Sequence, residues 1–195
     1  MSRVASITRT TGETDVSVRL DLDGAGNATI ATGVGFLDHL LVLFARHALV
    51  DLEVTATGDL ETGSHHTIED VGITLGQALD GALGDRSGIA RYGNFVLPMD
   101  EVLIQVAIDC SGRPLLVSDL DLPVAVIGGF EVECLTEFLR GLVNHAKLTL
   151  HVRQLAGGNA HHIVEGAVKG VARALGAAIR VDPRVAGVPS TKGSL

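Results

Sequence analysis

The chain has 195 residues, of which 46% are hydrophobic, 19% are charged and only 3% are aromatic. This balance is typical of a globular protein rather than a disordered one, with a core built from Val, Leu, Ile and Ala. The formal net charge of −8 argues against the basic face that nucleic-acid binding needs, although a few local Arg and Lys residues can still bind a small anion in a cleft.

The cysteine content and the lack of long apolar runs indicate a cytoplasmic location. Cys110 and Cys134 are the two cysteines, too few for a disulfide framework at this length, and they favour a reducing compartment. Residues 1–11 contain no long apolar run, so we expect no signal peptide. The longest apolar stretch, 40–50, is interrupted by an arginine and a histidine and is too short to cross a membrane. We therefore predict neither a membrane partner nor a nucleic-acid partner.

The first half contains both strand and helix patterns. Strands are predicted where apolar and polar residues alternate, and helices where apolar residues recur about every 3.6 positions. In chain order the predicted elements are strands at 4–7, 16–20 and 28–31, a helix at 34–47, a strand at 50–54 and a helix at 65–83. A turn at 23–27 and a loop at 58–64 separate some of these elements.

The second half gives a similar series. The predicted elements are strands at 91–96, 102–108 and 115–117, a helix at 131–146, a strand at 148–152 and a helix at 161–180. A Gly-rich loop at 156–159 precedes the last helix. The tail at 183–195 is rich in Gly, Pro, Ser and Lys, so we expect it to be a loop.

The second half in fact repeats the first. At an offset of 98 residues, 37–41 lies over 135–139 and 51–54 lies over 149–152. Where the connecting loop is two residues shorter the offset becomes 96, and His65-His66 then lies over His161-His162. Because the order of elements, the apolar positions and the polar residues all coincide, we infer the duplication of a helix–strand–helix unit. We predict one catalytic domain, 1–195, made of two pseudo-repeats at about 1–88 and 89–195.

Each copy carries a His-His-x-x-Glu pattern in a predicted helix. The six residues with metal-ligand chemistry are His65, His66, Glu69, His161, His162 and Glu165. Positions i and i+4 of a helix share a face, so the first His and the Glu of each pattern can bind one ion together. The second His points about 100° away. The economical arrangement is two ions, each bound by a His–Glu pair from one helix and a single His from the other.

The same repeat supplies a fourth ligand for each ion, His39 from the first half and its counterpart Glu137 from the second. Imidazole and carboxylate ligands without a thiolate suit manganese, iron or zinc, and spare coordination positions would admit a substrate. A single pattern of this kind is more often structural, but two copies in register favour a metal site. Two further repeated histidines, His47 and His145, lie at helix ends, where interaction with the helix carbonyls accounts for them.

Five segments of the chain match one known family. They are 35–39 (Gly-Phe-Leu-Asp-His), 65–70 (His-His-Thr-Ile-Glu-Asp), 111–114 (Ser-Gly-Arg-Pro), 161–165 (His-His-Ile-Val-Glu) and 188–193 (Val-Pro-Ser-Thr-Lys-Gly). Together they resemble the imidazoleglycerol-phosphate dehydratase family, and the resemblance runs from 9–14 to the tail. It implies an α+β fold of the ribosomal-protein-domain-2-like type, with two similar halves, each a four-stranded mixed sheet with two helices on one face.

The resemblance also implies two Mn²⁺ ions per active site. One ion would be bound by His39, His66, His161 and Glu165, and the other by His65, Glu69, Glu137 and His162. This partition agrees with the arrangement of helix faces, although Glu137 stands where many members of the family have a histidine. The family further implies a homo-24-mer with active sites at subunit interfaces and metals that help assembly.

The implied reaction is the loss of water from D-erythro-imidazole glycerol phosphate in histidine biosynthesis, which gives imidazole acetol phosphate. The proton to be lost lies on a carbon without a neighbouring carbonyl, so the imidazole ring must accept the electrons. Two cations on the ring nitrogens would stabilise an imidazolate, which can expel the hydroxyl through a diazafulvene-like intermediate. Glu13 is the implied acid/base group, and Glu69 or Glu165 could share the proton transfer.

The family also implies a set of contacts to the phosphorylated substrate. These residues are Glu13, His39, His65, Arg91, Arg113, His161, Lys169, Ser190, Thr191 and Lys192. Arginine offers paired planar donors and lysine a point charge, and both suit phosphate oxygens. Lys169 follows Glu165 by one helical turn and is expected to point toward the metal cleft, and the tail segment 190–193 is expected to close over the substrate. Three other carboxylates, Asp100, Glu101 and Asp109, could orient metal ligands, but the favoured interpretation is that they are exposed strand residues.

Two other functions remain open from the residues alone. A two-metal phosphohydrolase would also use two ions and basic residues, but it usually takes aspartate ligands from loops that follow strands. A metal-storage protein or a structural metal assembly would leave Glu13, Arg113 and Lys192 without a role.

Overall fold

The computed structural model describes residues 3–195, so the first two residues of the predicted first repeat lie outside the described range. The first half contains β1 (Val4–Thr10), β2 (Thr14–Asp21), β3 (Ala28–Ala31), α1 (Gly35–Ala48), β4 (Asp51–Gly58) and α2 (His65–Leu83). The second half contains β5 (Tyr92–Met99), β6 (Val102–Asp109), β7 (Leu115–Asp119), β8 (Val126–Ile127), β9 (Phe130–Glu131), α3 (Cys134–Ala146), β10 (Thr149–Ala156) and α4 (Ala160–Ile179).

The two halves form two four-stranded sheets with the same topology. The strand orders are β1-β2-β4-β3 and β5-β6-β10-β7. In each sheet the first three strands are antiparallel, and the last strand pairs in parallel because a helix crosses over between it and its partner. Alternate residues of β2, including Val16, Val18 and Leu20, are buried on one face. The predicted α+β fold of two similar halves is confirmed.

The four helices lie between the two sheets. Helices α1 and α2 pack on the first sheet, whereas α4 packs on β5 and β6 and α3 contacts β7. Across the middle, α2 packs along α3 and α1 packs along α4. One continuous hydrophobic core joins both halves, with Phe44 and Phe130 among its largest fully buried side chains. Each helix of one repeat is therefore the neighbour of a helix from the other repeat.

Glycines set the close approach of α2 to α3. A Cβ atom added at Gly72 would lie 2.5 Å from the carbonyl oxygen of Phe138, and one added at Gly76 would lie 2.6 Å from that of Leu142. From the other side, a Cβ at Gly141 would lie 3.1 Å from the carbonyl oxygen of Glu69. Any larger side chain would push the two helices apart. The crossing point therefore lies beside Glu69, a predicted metal ligand.

One predicted boundary is wrong. The helix predicted at 131–146 begins at Cys134, and Phe130 and Glu131 instead pair with β8 in a short hairpin. The hairpin turns at Gly128 and Gly129, both of which have positive φ, and the buried ring of Phe130 anchors it to the core.

The predicted strands lie in the right places but several end too early, since β1 continues past 7 to Thr10 and β5 continues past 96 to Met99. Strands β4 and β10 run to Gly58 and Ala156, so each takes one residue from a predicted loop, and a short 3-10 helix follows at Leu60–Thr62. The tail at 183–195 contains turns and bends, as predicted. Among residues 3–195, no helix is long and apolar enough to cross a membrane.

Candidate functional site

The first cluster of predicted ligands joins α1 to α4. His39 Nε2 lies 3.1 Å from Glu165 Oε2, and His161 Nε2 lies 3.0 Å from the same oxygen. The other carboxylate oxygen of Glu165 pairs with Lys169 one turn later. The ring of Phe36 packs beside both imidazoles, with its centroid 6.0 Å from that of His39 and 4.9 Å from that of His161. The packing of α1 on α4 thus brings together three of the residues predicted for one ion.

Glu165 is an ionised carboxylate in this cluster. Burial disfavours the charged form, since only 8% of its side chain is exposed. Hydrogen bonds from Lys169, His39 and His161, together with the charge of Lys169, outweigh burial and hold the pKa of Glu165 below its ordinary value. The carboxylate is therefore charged and oriented before any ion binds.

The second cluster, on α2, is more open. His65 Nε2 lies 3.8 Å from Glu69 Oε2, and the two side chains are 53% and 43% exposed. On its other side, His65 Nδ1 lies 3.6 Å from Cys134 Sγ. Burial raises the pKa of Cys134 to about 12, so this group remains a thiol. Glu137, the residue predicted to join this cluster, instead forms an ion pair with Arg140 on its own helix.

The second histidine of each pattern points elsewhere. The ring planes of His65 and His66 meet at 83° and those of His161 and His162 at 86°, with the ring centroids 6.0 Å apart in each pair. Among residues 3–195, neither His66 nor His162 forms a hydrogen bond or ion pair with any other member of its predicted ligand set. One chain therefore does not complete either four-ligand set.

His66 faces the loop that precedes α2. Its Nδ1 lies 3.0 and 3.1 Å from the two carboxylate oxygens of Asp59, and 3.8 Å from Glu13 Oε2. The hydrogen bond lowers the pKa of Asp59 and raises that of His66. The structure thus places the predicted acid/base group, Glu13, beside a predicted metal ligand.

His162 faces the turn between β5 and β6. Its Nδ1 lies 2.8 Å from Glu101 Oε2, and its Nε2 lies 3.6 Å from Asp100 Oδ2. The hydrogen bond from His162 lowers the pKa of Glu101 to about 2. Glu101 is about half exposed, in agreement with its interpretation as an exposed carboxylate, but it also contacts His162, and Asp100 is mostly exposed as expected.

The basic residues predicted for phosphate line a separate cavity with a volume of about 710 Å³. Its lining comprises Arg91, Tyr92, Arg113, Pro189, Ser190, Thr191, Lys192, Ser194 and Leu195. Arg91 donates two hydrogen bonds, of 2.7 and 3.1 Å, to the carboxylate of Asp109 and one of 2.9 Å to the carbonyl oxygen of Pro189. The interpretation of Asp109 as an exposed residue is therefore wrong, since it orients Arg91 from beneath. Lys169 is not in this cavity and lies beside Glu165 instead.

The donor groups of the two clusters have the chemistry that a borderline divalent ion requires. Imidazole nitrogens and carboxylate oxygens converge, and the one nearby thiol is protonated. The Nε2 atoms of His39 and His161 each lie about 3 Å from Glu165 Oε2, the spacing of two ligands that bind one ion at about 2.1 Å and at right angles. Even so, no three His, Cys, Asp or Glu side chains within the described part of one chain form a group that could hold an ion by itself.

Comparison with known proteins identifies the family. The family model described as imidazoleglycerol-phosphate dehydratase matches residues 32–175. This chain belongs to the imidazoleglycerol-phosphate dehydratase family. The enzyme of that name from Dinoroseobacter shibae is 58% identical over 194 residues, which cover 99% of this chain and 100% of the relative. The one from Microcystis aeruginosa is 56% identical over 194 residues, which cover 99% of this chain and 93% of the relative.

A solved structure agrees with this assignment. The crystal structure of imidazoleglycerol-phosphate dehydratase from Staphylococcus aureus superimposes with a TM-score of 0.83 at 38% sequence identity, and the match covers 92% of this chain and 99% of that one. Membership of the imidazoleglycerol-phosphate dehydratase family confirms that the chain is an enzyme, a hydro-lyase, as the motifs predicted.

Proposed function

We propose that this dehydratase of histidine biosynthesis removes water from imidazole glycerol phosphate, to give imidazole acetol phosphate, with two Mn²⁺ ions per active site. The observation that carries the proposal is the convergence of His39 and His161 on one oxygen of Glu165, an ionised carboxylate. When bound, the ions would supply Lewis-acid charge to the ring nitrogens of the substrate.

Residues of the chain itself would transfer the proton and bind the phosphate group. Glu13 is 56% exposed and lies 3.8 Å from His66, so its carboxylate can move a proton to or from a substrate bound beside that histidine. Arg91, Arg113 and Lys192 bring positive charge to one cavity and suit the phosphate group. Asp109 keeps the guanidinium of Arg91 in place before the substrate arrives.

We further propose that the complete site forms between subunits of a homo-oligomer, with 24 chains as the expected assembly. Support comes from the outward direction of His66 and His162, which leaves one nitrogen of each ring for a ligand set on another chain. Large apolar side chains are exposed near β7 and β8, including Leu115, Val124 and Val126, and such groups are typical of a protein–protein interface.

The test is turnover of imidazole glycerol phosphate by the full-length protein, after removal of metal with a chelator and after resupply of Mn²⁺. We expect turnover to disappear on removal and to return with Mn²⁺. His66→Ala should lose both bound Mn²⁺ and turnover, whereas His151→Ala, which changes an exposed histidine on β10, should keep both. Full Mn²⁺ content and full turnover in His66→Ala would contradict the ligand assignment.

The same assay distinguishes dehydration from hydrolysis of the phosphate ester. A two-metal phosphohydrolase would release inorganic phosphate from the substrate, whereas the dehydratase keeps the phosphate ester intact. Phosphate release without formation of imidazole acetol phosphate would overturn the proposal.

A further inference from the structure

Both outward histidines are held by a carboxylate at the same ring nitrogen. His162 Nδ1 contacts Glu101, and His66 Nδ1 contacts Asp59. An ionised carboxylate can only accept a hydrogen bond, so the Nδ1 atoms must donate. In the neutral imidazole the proton then resides on Nδ1, and Nε2 keeps the lone pair that a metal needs.

Each carboxylate is itself fixed by another hydrogen bond. The backbone N–H of Asn159 donates to Glu101 Oε1 over 3.1 Å, which leaves Oε2 for His162. The hydroxyl of Thr62 donates to Asp59 Oδ2 over 3.1 Å. Both histidines thus contact a rigid acceptor, and the direction of each ring is determined before assembly.

The carboxylate that holds the histidine comes from a different sequence position in each repeat. Strands β2 and β6 begin at Thr14 and Val102, so the residues just before them, Glu13 and Glu101, are counterparts at an offset of 88. Glu101 lies 2.8 Å from its histidine, while Glu13 lies 3.8 Å from His66.

Asp59 explains why the first repeat does not need Glu13 for this contact. Asp59 directly follows β4, and the residue that directly follows β10 is Gly157, which has no side chain. In the second repeat Glu101 is therefore the one carboxylate hydrogen-bonded to Nδ1 of the histidine, with Asp100 3.6 Å from Nε2, whereas the first repeat has Asp59 as well as Glu13 beside Nδ1.

We propose that Glu101 and Asp59 are positioning residues that hold His162 and His66 with Nε2 free to bind metal, and that Asp59 thereby leaves Glu13 available for proton transfer. This inference rests on the metal site of the proposed function. It assigns different tasks to two counterpart glutamates, orientation to Glu101 and proton transfer to Glu13.

The first experiment measures Mn²⁺ binding by equilibrium dialysis of the full-length protein, with Mn²⁺ counted per chain. Loss of a carboxylate that orients a ligand typically weakens metal binding about 10- to 100-fold. We expect Glu101→Gln to weaken one of two Mn²⁺ sites by about this factor and Asp59→Asn to weaken the other by about this factor. Glu13→Gln should lose turnover with both affinities kept, and Glu53→Gln, on the exposed face of β4, should change neither.

The second experiment reads the histidine tautomers without metal. Magic-angle-spinning NMR of the chelated protein labelled with ¹⁵N-histidine should show His66 and His162 with a protonated Nδ1 and an unprotonated Nε2, at a pH where the rings are neutral. In Glu101→Gln the signal of His162 alone should move toward a mixture of tautomers. A thermal unfolding midpoint equal to that of the wild type would show that the variant is folded.

The outcomes separate this inference from the proposed function. Wild-type protein that binds two Mn²⁺ ions, with affinities unchanged in both variants, would overturn the positioning role and leave the proposed function intact. Wild-type protein that binds no Mn²⁺ would overturn the two-metal function. The NMR spectrum decides the inference on its own, since protonation of Nε2 instead of Nδ1 in the wild type would also overturn it.

Discussion

The two ligand clusters come from a duplicated unit but differ in how fully one chain forms them. On α4, His161 and Glu165 are 3.0 Å apart, and Glu165 is nearly buried between His39 and Lys169. On α2, the corresponding pair of His65 and Glu69 is 3.8 Å apart and about half exposed. Strand order and helix pairing are the same in both halves, whereas the side chains around the pair differ.

Two substitutions between the repeats account for the difference. The counterpart of Lys169 in α2 is Ile73, so Glu69 has no ammonium group one turn later. The counterpart of His39 is Glu137, which repels another carboxylate and pairs with Arg140. A duplication can therefore keep the position of a site while neighbouring residues decide whether its charges are neutralised within the chain.

The largest expected effect is a loss of turnover, and we expect it for substitutions in either cluster. Glu165→Gln and Glu69→Gln should each reduce turnover by at least about 100-fold, because each removes a charged group that we propose as a metal ligand, and even indirect partners of ligands contribute about 10- to 100-fold. The measurement is steady-state turnover at saturating Mn²⁺. Full turnover in either variant would remove that residue from the site.

The same two variants should differ in the stability of the metal-free protein. Glu165→Gln leaves Lys169 without its partner in a mostly buried place, so we expect the free energy of unfolding to fall by about 1–3 kcal/mol. Glu69→Gln, at an exposed position, should change it by less than about 0.5 kcal/mol. Urea unfolding of chelated protein measures both values, and equal losses would contradict the difference between the clusters.

The helix crossing beside the open cluster gives the next prediction. Gly72→Ala places a methyl group against the backbone of Phe138, and such overpacking should lower the free energy of unfolding by about 1–3 kcal/mol. Gly81→Ala, in the same helix, meets only the methyl group of Ala5, at 3.3 Å, and should cost much less. The matched pair is compared by urea unfolding. Absence of a loss in the Gly72 variant would show that α2 and α3 can separate without cost.

The phosphate cavity should act independently of both clusters. Lys192→Ala removes one positive charge from the cavity, so we expect KM for the substrate to rise about 10-fold, the equivalent of one charged hydrogen bond. Bound Mn²⁺ should stay unchanged. Kinetics and metal analysis of the same sample provide the test, and loss of Mn²⁺ in this variant would argue against a phosphate role.

The smallest effect concerns pH. The folded-state pKa of Glu165 is lowered, so this carboxylate contributes stability above its ordinary pKa, and that contribution is lost as the pH falls through the lowered value. Lys169→Met removes the largest favourable interaction, so less stability should be lost on acidification than in the wild type. The thermal unfolding midpoint of metal-free protein, followed from pH 6 downward, shows the difference. Identical acid profiles would mean that Lys169 does not hold this charge.

Helices and strands could be predicted from the sequence more readily than the packing of one element against another. The bounds of α2 at 65–83 and of β3 at 28–31 were predicted correctly because the apolar period identifies an element directly. The hairpin of β8 and β9 was missed, since two-residue strands have too few residues to show a period. The repeat located the paired histidines, but it did not indicate that α1 lies against α4.

Among the carboxylates that hold other site residues, Asp59 was missed and an orienting role for Glu101 and Asp109 was considered but not favoured, for a common reason. Asp59, Glu101 and Asp109 each act on a residue that a turn or a neighbouring strand brings close. Their function depends on where a side chain points, and no period in the sequence encodes that. The offset of 88 between Glu13 and Glu101 was the one available signal for Glu101.

The packing of α1 on α4 has a consequence for the origin of the fold. His39 belongs to one repeat, while His161 and Glu165 belong to the other, so an ancestral half-length chain could not have assembled this cluster alone. Two copies would have had to pair through their helices, which would also have been needed to cover the apolar faces now buried between the sheets. The present chain thus has the arrangement of a dimer of halves within one polypeptide, in which the two halves can differ in sequence.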